Sequence, residues 1–352
     1  MTVINNIEID TIEYKPNEIK NAILNNDPIE PKLHVIIVVS NPCLYARRYI
    51  LAREFIKRMA MDESDVILYI VEFAYGDQKF IVTDGKCPRH LQIRTETPIW
   101  HKENMINVGV SKLLPSNWRA FAWIDSDIEF ESTTWATDAL KLLNGSKDII
   151  QLFSHAIDMD KNKKTMTIFS SFGYQFCKGK KYGEKGLEYW HPGYAWACTR
   201  KAYEKMQGVY EYGILGSSDN IMALSLIGNG IKAIDSKSTD GYKKTVLEYQ
   251  SRVKNMRLGY IPGVIRHHFH GSKKNRKYTE RWQILVNHLY DPLEHLDICN
   301  IEMENHGAMG ENDNKSEKKC KVLVPSAKCP KELIDDIYKY FAERNEDEGY
   351  LE

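Results

Sequence analysis

Two largely apolar runs near the start of the chain limit what this sequence can fold into. Residues 33–39 read LHVIIVV and residues 65–75 read DVILYIVEFAY, and both are rich in β-branched side chains. A strand that is apolar on both faces has to be covered on both faces, which is typical of parallel strands packed between layers of helices. Neither run reaches the roughly 20 apolar residues that cross a membrane as a helix. The two runs therefore predict a layered α/β domain and no transmembrane segment.

Predicted helices separate these strands along the chain. Residues 44–61 and 102–114 carry helical patterns, the second ending at Pro115, and a third buried strand, AFAWI, follows at 120–124. Alternation of this kind predicts an open α/β sheet, in which ligands bind at the carboxyl ends of the strands. In this sequence we place those ends at Ser40-Asn41, Glu72 and Asp125-Ser126-Asp127.

The overall charge excludes one broad class of partner. The 352 residues include 48 Lys and Arg and 48 Asp and Glu, so the formal net charge is +0. Because coating a nucleic acid requires a basic surplus, no nucleic-acid partner is expected. A phosphate-containing ligand would need a local cluster of positive charge. The chain begins without the basic and apolar segments of a signal peptide, so a soluble, cytoplasmic protein is expected.

The sharpest motif is the acidic pair Asp125-Ser126-Asp127, which directly follows the third strand. If the segment is extended, residues two apart point to the same side, so Asp125 and Asp127 present two carboxylates together. Hard divalent cations such as Mg²⁺ and Mn²⁺ take oxygen ligands and often bridge carboxylates to substrate phosphates. The same residues also suit a plain turn or a helix cap. The motif alone leaves both interpretations open.

A second motif, RHHFHGSKKNRK at 266–277, combines histidines with positive charge. In an extended segment His268 and His270 share a face and His267 does not. Imidazole nitrogens can complete a carboxylate-bound Mn²⁺ site. The alternative interpretation is a solvated basic loop beside structural histidines. The side chains that could neutralise a diphosphate include Lys273 and Lys274.

A lone carboxylate, Asp219, opens a helix predicted from Asp219 to Ile227, after the sequence GILGSS. As a bare pattern it is typical of a residue that caps the helix. The functional alternative is a general base positioned by the helix start.

Together these motifs resemble the metal-dependent nucleotide-sugar glycosyltransferases of the GT-A fold. The resemblance implies a Rossmann-like, open, twisted mixed sheet flanked by helices. It implies that Asp125-Ser126-Asp127 is the DxD motif that holds Mn²⁺ or Mg²⁺ on the donor diphosphate, with His270 or His268 as a further metal ligand. The stretch at 191–226 is similar to the acceptor half of inverting members, which makes Asp219 the catalytic base.

A second comparison within the same family points to the other stereochemistry. The sequence HFHG at 268–271, followed by Lys274, looks like the HFxGxxK element of retaining members. We favour inversion, because Asp219 fits a base that retaining enzymes do not need at that position. One departure from many inverting members is that Ser218-Asp219 stands where they have a Glu-Asp pair.

The resemblance also implies a donor site and a division of the chain. Residues 1–32 are expected to form a lead-in, and residues 33–300 the glycosyltransferase domain. Within that domain, residues 33–130 would be the nucleotide-binding half and residues 131–300 the acceptor half. Residues 301–352 would form a linker followed by a C-terminal helix. Trp190 and His191 could contact a sugar or belong to the core. The expected donor-binding residues are Ser40, Asn41, Glu72, Lys102, Asn107, Asp125, Ser126, Asp127, His191, Lys273 and Lys274.

The expected reaction moves a sugar from a nucleotide-diphosphate sugar to a hydroxyl of a glycan or glycoprotein acceptor. No lumenal anchor of the kind typical of the family is expected. The general pattern is also similar to glycosyltransferases of chloroviruses and other large DNA viruses, so a host-cytoplasmic enzyme is expected if the source is a virus. Two alternatives stay open. One is a non-catalytic module that binds nucleotide sugars. The other is a sugar nucleotidyltransferase, which normally carries a Gly-rich phosphate loop where this chain has Asn41-Pro42-Cys43.

Overall fold

The computed structural model describes residues 26–62, 64–183, 189–304 and 318–349. Before them it describes Val3, Ile4, Ile7, Glu8, Asn17, Lys20 and Leu24. Most of the predicted lead-in and residues 305–317 of the predicted linker therefore lie outside the described residues.

Strands and helices alternate through most of the described chain. The strands are β1 Val3–Ile4, β2 Ile7–Glu8, β3 Leu33–Ser40, β4 Val66–Tyr75, β5 His90–Thr95, β6 Ala120–Ile124, β7 Ile128–Phe130, β8 Ile149–Gln151, β9 His155–Met159, β10 Thr165–Ser171, β11 Trp190–His191, β12 Ala195–Thr199, β13 Leu258–Tyr260, β14 Val264–His267, β15 Leu296–Glu302 and β16 Lys319–Pro325. The α-helices are α1 Ala46–Asp62, α2 Lys102–Leu113, α3 Trp135–Leu143, α4 Phe172–Cys177, α5 Arg200–Met206, α6 Ser218–Leu226, α7 Asp240–Val253, α8 Trp282–Asn287, α9 Pro292–His295 and α10 Lys331–Glu343. Short 3₁₀ turns occupy Gly230–Ala233 and Lys273–Arg276.

The larger sheet has seven strands in the order β13-β8-β12-β6-β3-β4-β5. β3 pairs in parallel with β4 and β6, and β4 pairs in parallel with β5. β12 lies antiparallel between β6 and β8, and β13 lies parallel to β8. The predicted open, mixed α/β sheet is confirmed.

Both faces of this sheet are covered, as the apolar runs predicted. Along β3, Val35 and Ile37 lie in one hydrophobic core with Phe55 of α1. Ile36, between them, lies in the second core with Met105 of α2. Successive side chains of a strand point to opposite faces, so a central strand between two helical layers has to be apolar at every position.

The smaller sheet has five strands in the order β11-β10-β9-β14-β7. The chain crosses between the two sheets several times. One crossing is at residues 125–127, between β6 and β7, and another is at residues 192–194, between β11 and β12. The two passages touch, because the backbone N–H of Asp125 donates to the carbonyl of Tyr194 at 2.8 Å. Polar residues on these passages therefore meet where the sheets join.

The C-terminal region forms regular structure against the main sheet. β15 and β16 pair antiparallel over their whole lengths, so strands occupy both ends of the segment that the sequence suggested as a linker. A bridge between Met303 and Ile93 connects this hairpin to β5. The predicted C-terminal helix is confirmed as α10. Among the helices of the described residues, none combines the length and apolar character needed to cross a bilayer.

Candidate functional site

A cavity of about 890 Å³ opens where the two sheets meet. Ser40 and Asn41 line it at the carboxyl end of β3, which is where an open α/β sheet is expected to bind ligands. The other predicted site residues in its lining are Lys102, Asp125, Ser126, Asp127, His191, Asp219, His270 and Lys273. Four predicted residues are not part of the lining: Glu72, Asn107, His268 and Lys274.

The acidic motif is a turn between β6 and β7, and not the extended strand end assumed from the sequence. Its two carboxylates consequently have different partners. Asp125 forms an ion pair with Lys102 at the start of α2, whereas Asp127 faces histidines of the smaller sheet. Burial raises the pKa of the Asp125 carboxyl, and the charge of Lys102 opposes that rise.

Asp127 belongs to a cluster with His267 and His270, in which the possible ligand atoms all lie within 4.8 Å of one another. His270 Nε2 is 2.9 Å and His267 Nε2 is 3.7 Å from Asp127 Oδ2. Burial favours the protonated acid, but His270 and His267 hold the pKa of Asp127 well below its usual range. The second oxygen, Asp127 Oδ1, is buried without a hydrogen-bond partner in the described part of the chain. One carboxylate and two imidazoles that converge in this way suit a divalent transition metal such as Mn²⁺.

A carboxylate stands behind His267. Asp158 of β9 is buried, and its Oδ1 lies 2.6 Å from His267 Nδ1. This contact leaves His267 Nε2 facing Asp127. Carboxylates in this position orient histidine ligands of metal ions. Burial acts against ionisation of Asp158, but His267 and Lys273 lower its pKa to about 2.

His268, which the alternation rule paired with His270, lies outside this cluster. β14 ends at His267, so strand pairing does not fix the direction of the residues beyond it and the two-residue period does not carry over to His270. His268 Nε2 instead lies 3.3 Å from Glu129 Oε2. The structure brings together His267 and His270, one of which the sequence argument had set aside.

The positive charge at the cavity comes mainly from side chains other than the predicted lysine pair. Lys273 lines the cavity and pairs with Asp158, whereas Lys274 is exposed. Arg276 reaches His270 Nε2 with a guanidinium nitrogen at 2.8 Å. The further arginines in the lining are Arg48, Arg281 and Arg344.

Asp219 lies in the first turn of α6, but it is not the capping residue, which is Ser217. Its Oδ1 accepts the backbone N–H of Asn220 at 2.8 Å. A glycine leaves room for the other oxygen, since a Cβ built on Gly193 would lie 2.7 Å from Asp219 Oδ2. Asp219 is therefore a carboxylate at the cavity wall.

A second acid lies behind Asp219. Glu103 of α2 is 7% exposed, and its Oε2 has no hydrogen-bond partner among the described residues. Burial raises the pKa of Glu103 to about 8, with Lys102 opposing and Asp219 reinforcing the rise. Glu103, Lys102 and Asp219 also line a separate pocket of about 10 Å³, close to the volume that one water molecule needs.

The side chains of three predicted donor-binding residues mainly form hydrogen bonds with backbone groups. Glu72 accepts the backbone N–H groups of Ile81 and Thr83, both at 2.8 Å, and is 2% exposed. Asn107 bonds to both backbone groups of Val209. Asn41 bonds to both backbone groups of Tyr45, although it also lines the cavity. The polar side chains of these three residues fix the shape of neighbouring loops, and their presence in the sequence did not by itself indicate ligand binding.

Aromatic side chains form the wall of the cavity beside Asp219 and the histidine cluster. The rings of His191 and Tyr194 stack at 4.1 Å, and Tyr194 lies 4.7 Å from His267. Tyr194 has a φ of 78°, a backbone conformation that is costly for a residue with a side chain and tends to occur at functional sites. Burial lowers the pKa of His191 to about 3. Trp190 is buried in the core. The remaining aromatic residues of the wall are Phe169, Tyr182, Tyr189 and Tyr278.

Several residues of the site were not selected from the sequence. Asp158, Arg276 and Glu346 each contact a histidine of the cluster. Asp158 is distant from the histidines in sequence and carries no local motif, and Glu346 follows a helix that has no obvious link to the site. Arg276 was one of several basic residues in a charged segment. Only the strand pairing of β9 with β14, which the sequence does not reveal, would have indicated Asp158.

No family model and no curated protein matches this sequence. Among solved structures, the catalytic domain of Drosophila beta1,4-galactosyltransferase 7, in complex with xylobiose, is 11% identical over 88% of this chain and 99% of that chain, with a TM-score of 0.39. The mannosyltransferase PcManGT from Pyrobaculum calidifontis, in complex with GDP-Man and Mn²⁺, is 12% identical over 76% of this chain and 69% of that chain, with a TM-score of 0.40. A putative glucose-1-phosphate thymidylyltransferase from Bacillus anthracis is 9% identical over 81% of this chain and 98% of that chain, with a TM-score of 0.34. Similarity at this level carries no argument about activity, so the function has to be inferred from the site.

Proposed function

We propose that this chain is a metal-dependent glycosyltransferase of the GT-A type. It would transfer a sugar from a nucleotide-diphosphate sugar to a hydroxyl group of a glycan or glycoprotein, with inversion at the anomeric carbon. One observation carries the proposal. A single cavity at the carboxyl end of β3 is lined by the Asp127/His267/His270 cluster, by several basic side chains and by Asp219.

The metal in this proposal is Mn²⁺ or Mg²⁺, and the donor set fits such an ion. Asp127, His267 and His270 would hold it, and the orphaned Asp127 Oδ1 offers a further oxygen. When bound, the ion supplies Lewis-acid stabilisation of the charge that develops on the leaving diphosphate. Imidazole ligands favour Mn²⁺ over Mg²⁺. Asp125, the other acid of the motif, is engaged by Lys102.

The protein's own groups account for the remaining steps. Lys273 and Arg276 lie beside the cluster and would bind the diphosphate oxygens, where their charge opposes the negative charge of the leaving group. Asp219 would accept the proton of the acceptor hydroxyl as its oxygen forms a bond to the anomeric carbon. The bond from that carbon to the diphosphate oxygen breaks, and the nucleoside diphosphate leaves with the electron pair. The backbone N–H of Asn220 holds Asp219 in place for this transfer.

Both substrates can be assigned to parts of the cavity. The nucleotide would occupy the end formed by Ser40 and Asn41, on the side of the parallel strands. The acceptor would occupy the wall formed by His191, Tyr194 and their aromatic neighbours, because flat apolar rings with polar edges suit the faces and hydroxyls of a sugar.

Donor binding can be tested by thermal unfolding with a panel of nucleotide-diphosphate sugars, each with and without Mn²⁺. We expect at least one donor to stabilise the protein in a Mn²⁺-dependent way, because a ligand that binds only the folded state raises the unfolding temperature. Asp127→Asn should abolish the Mn²⁺-dependent part. Asp297→Asn, which changes an exposed acid on β15, is the matched control. Absence of Mn²⁺-dependent stabilisation by every donor would contradict the proposal.

Catalysis needs a separate measurement, since a binding module would pass the first test. The stabilising donor is incubated with a panel of oligosaccharide acceptors, and release of nucleoside diphosphate and formation of the glycoside are followed. Donor binding without transfer to any acceptor would favour the non-catalytic module. Formation of a nucleotide sugar and pyrophosphate from a sugar 1-phosphate and a nucleoside triphosphate would identify a nucleotidyltransferase instead.

A further inference from the structure

The segment after α10, residues 344–348, is inserted between the start of α1 and the histidine segment. Asp347 accepts the backbone N–H groups of Ala46 and Arg47 at 3.0 and 2.8 Å, which satisfies free donors at the first turn of α1. On its other side the segment approaches Gly271, where a Cβ would lie 3.0 Å from the Asn345 carbonyl oxygen. Gly271 has a φ of +85°, so both its conformation and its lack of a side chain allow this close packing.

Glu346 is the residue of this segment that reaches the site. It is 1% exposed. Arg48 donates to both of its oxygens, with Nη2 2.6 Å from Oε1 and Nε 2.8 Å from Oε2. Arg344 donates to Oε1 at 2.8 Å. The carboxylate is thereby fixed in position, and its Oε2 lies 3.8 Å from His270 Nδ1, which is within ion-pair range.

The two ring nitrogens of His270 face different neighbours. Nε2 lies 2.9 Å from Asp127 Oδ2 and 2.8 Å from Arg276 Nη2. Nδ1 lies on the other side of the ring, towards Glu346. Nε2 is therefore the nitrogen on the side where a metal ion would bind, and a ring that binds a metal through Nε2 carries its proton on Nδ1.

We propose that Glu346 is a positioning residue for the metal site, whose fixed negative charge supports His270 from the Nδ1 side, at a longer distance than the one at which Asp158 contacts His267. The inference rests on the metal site of the proposed function and adds a role for the C-terminal segment. Each histidine of the cluster then has its own carboxylate behind Nδ1: one comes from β9 and the other from the end of the described chain. Ligands without such partners bind metal about 10–100-fold more weakly.

An opposing interpretation is that Glu346 occupies a place meant for substrate. Arg48 and Arg344 place two positive charges beside it, which would equally suit a phosphate group. On that interpretation Glu346 competes with the donor and does not help to bind the metal. The two interpretations predict opposite effects when the charge of Glu346 is removed.

The test measures Mn²⁺ affinity of the full chain by calorimetry, well below the unfolding temperature of each variant. Glu346→Gln is expected to weaken Mn²⁺ binding about 10–100-fold. Glu332→Gln, an exposed change on α10 outside this segment, is the control and should leave Mn²⁺ affinity unchanged. In a His270→Ala background, Glu346→Gln should cause no further loss, since a residue that acts through another loses its effect when the other is removed.

Each other outcome has a definite meaning. Unchanged Mn²⁺ affinity in Glu346→Gln, or an additional loss in the His270→Ala background, overturns the positioning role. Tighter binding of a nucleoside diphosphate to Glu346→Gln in the absence of Mn²⁺ overturns it in favour of competition. Absence of Mn²⁺ binding by the wild-type chain refutes the metal site itself, and the positioning role falls with it. Mn²⁺ binding that is intact while transfer is absent refutes only the catalytic proposal.

A measurement on the unaltered chain covers the case in which Glu346→Gln does not fold. The ¹⁵N chemical shifts of the His270 ring, measured with Zn²⁺ as a diamagnetic substitute for Mn²⁺ and assigned with His270→Gln, report which ring nitrogen binds the metal. We expect binding through Nε2, with the proton on Nδ1 on the side of Glu346. Binding through Nδ1 would turn the metal away from Asp127 and would overturn the proposal.

Discussion

Asp219 is held at the cavity wall by the hydrogen bond that its Oδ1 accepts from the backbone N–H of Asn220. Asp219→Asn keeps the shape and removes the base. We expect kcat to fall about 10²–10⁴-fold, the usual contribution of a general base. Donor affinity should stay within a few fold, because the donor contacts are made elsewhere. Steady-state kinetics and donor titrations measure the two quantities.

A matched control for this substitution is Asp240→Asn. Asp240 also lies in the first turn of a helix, α7, but its side chain is fully exposed. This change should leave kcat unaffected. Near-normal transfer by Asp219→Asn would show that another group takes the proton.

Glu103 makes the stability of the protein depend on pH. Its pKa rises from 4.5 to about 8 on folding, because burial disfavours the charged form. Between these values the folded state keeps a proton that the unfolded state has lost, so the free energy of unfolding falls as the pH rises through this window, by up to about 1.4 kcal/mol per pH unit. Glu103→Gln removes the titrating group. We expect the variant to gain stability relative to the wild type between pH 5 and about pH 8.

Urea unfolding at several pH values checks this expectation. Glu332→Gln, an exposed change on α10, is the control and should show the wild-type dependence on pH. Parallel stability curves for the wild type and Glu103→Gln would mean that Glu103 does not titrate in this window.

The individual site residues could be predicted only where a local pattern marked them. Asp127 and His270 stood out because short motifs carried them, and the structure brings them within 2.9 Å. Glu346 and Asp158 could not be found in this way. Their partners lie in distant parts of the chain, and a single Glu or Asp in an ordinary segment is far more often a solvated residue.

Among the helices and strands, the predicted bounds were most accurate for elements that are buried on both faces. The strand predicted at 120–124 is β6, residue for residue, and the predicted helix at 219–227 differs from α6 by one residue at each end. Continuous apolar runs leave little choice of conformation. β15 was missed because most of its residues are exposed, so its sequence lacks a buried face. The sequence left both a turn and an extended strand end open at 125–127, and the structure has the turn. The end of β14 was missed, because tertiary contacts fix where that strand stops.

The passage between β11 and β12 is the element most sensitive to a small change. Gly193→Ala adds a Cβ that would lie 2.7 Å from Asp219 Oδ2 and 3.2 Å from His191 Cε1, so the carboxylate has to move. We expect a loss of kcat of about 10-fold or more, since small displacements of a catalytic group are costly. The fold should be retained, because Asp219 is only partly buried and can rotate. Transfer kinetics and circular dichroism test the two expectations.

Gly263→Ala provides the comparison for this change. A Cβ built on Gly263 meets no atom within 4 Å, and the residue does not need a positive φ. This variant should have wild-type kinetics. Equal activity of the two alanine variants would show that Asp219 does not have to occupy its position beside Gly193.

Over the whole molecule, the zero net charge conceals a separation of charge along the chain. Acidic residues of the 125–131 segment and basic residues of the 266–277 segment meet in the folded protein, where Arg266 pairs with Glu131 and His270 with Asp127. A neutral chain can therefore concentrate charged side chains of both signs in one place. The composition excluded broad binding to polyanions, but it could not indicate this local arrangement.

The two ends of the described fold are joined beside the same site. Tyr45, just before α1, directs its hydroxyl at the carbonyls of Phe341 and Ala342, at 2.8 and 2.7 Å, and accepts the N–H of Asn345 at 3.0 Å. Tyr45→Phe removes these hydrogen bonds, and we expect it to lower the free energy of unfolding by about 1–2 kcal/mol. Tyr338→Phe, an exposed change on α10, should cost almost nothing.

If the C-terminal segment supports the metal site, this same change has a second consequence that is far from Tyr45 itself. Loosening residues 344–348 moves Glu346 relative to His270, so Tyr45→Phe should also weaken Mn²⁺ binding, by less than the 10–100-fold expected when the carboxylate is lost. Linkage requires the reverse effect as well: Mn²⁺ should slow amide hydrogen exchange in residues 341–349 of the wild type. A variant that is less stable but binds Mn²⁺ with unchanged affinity would show that the two ends of the fold are joined for stability alone.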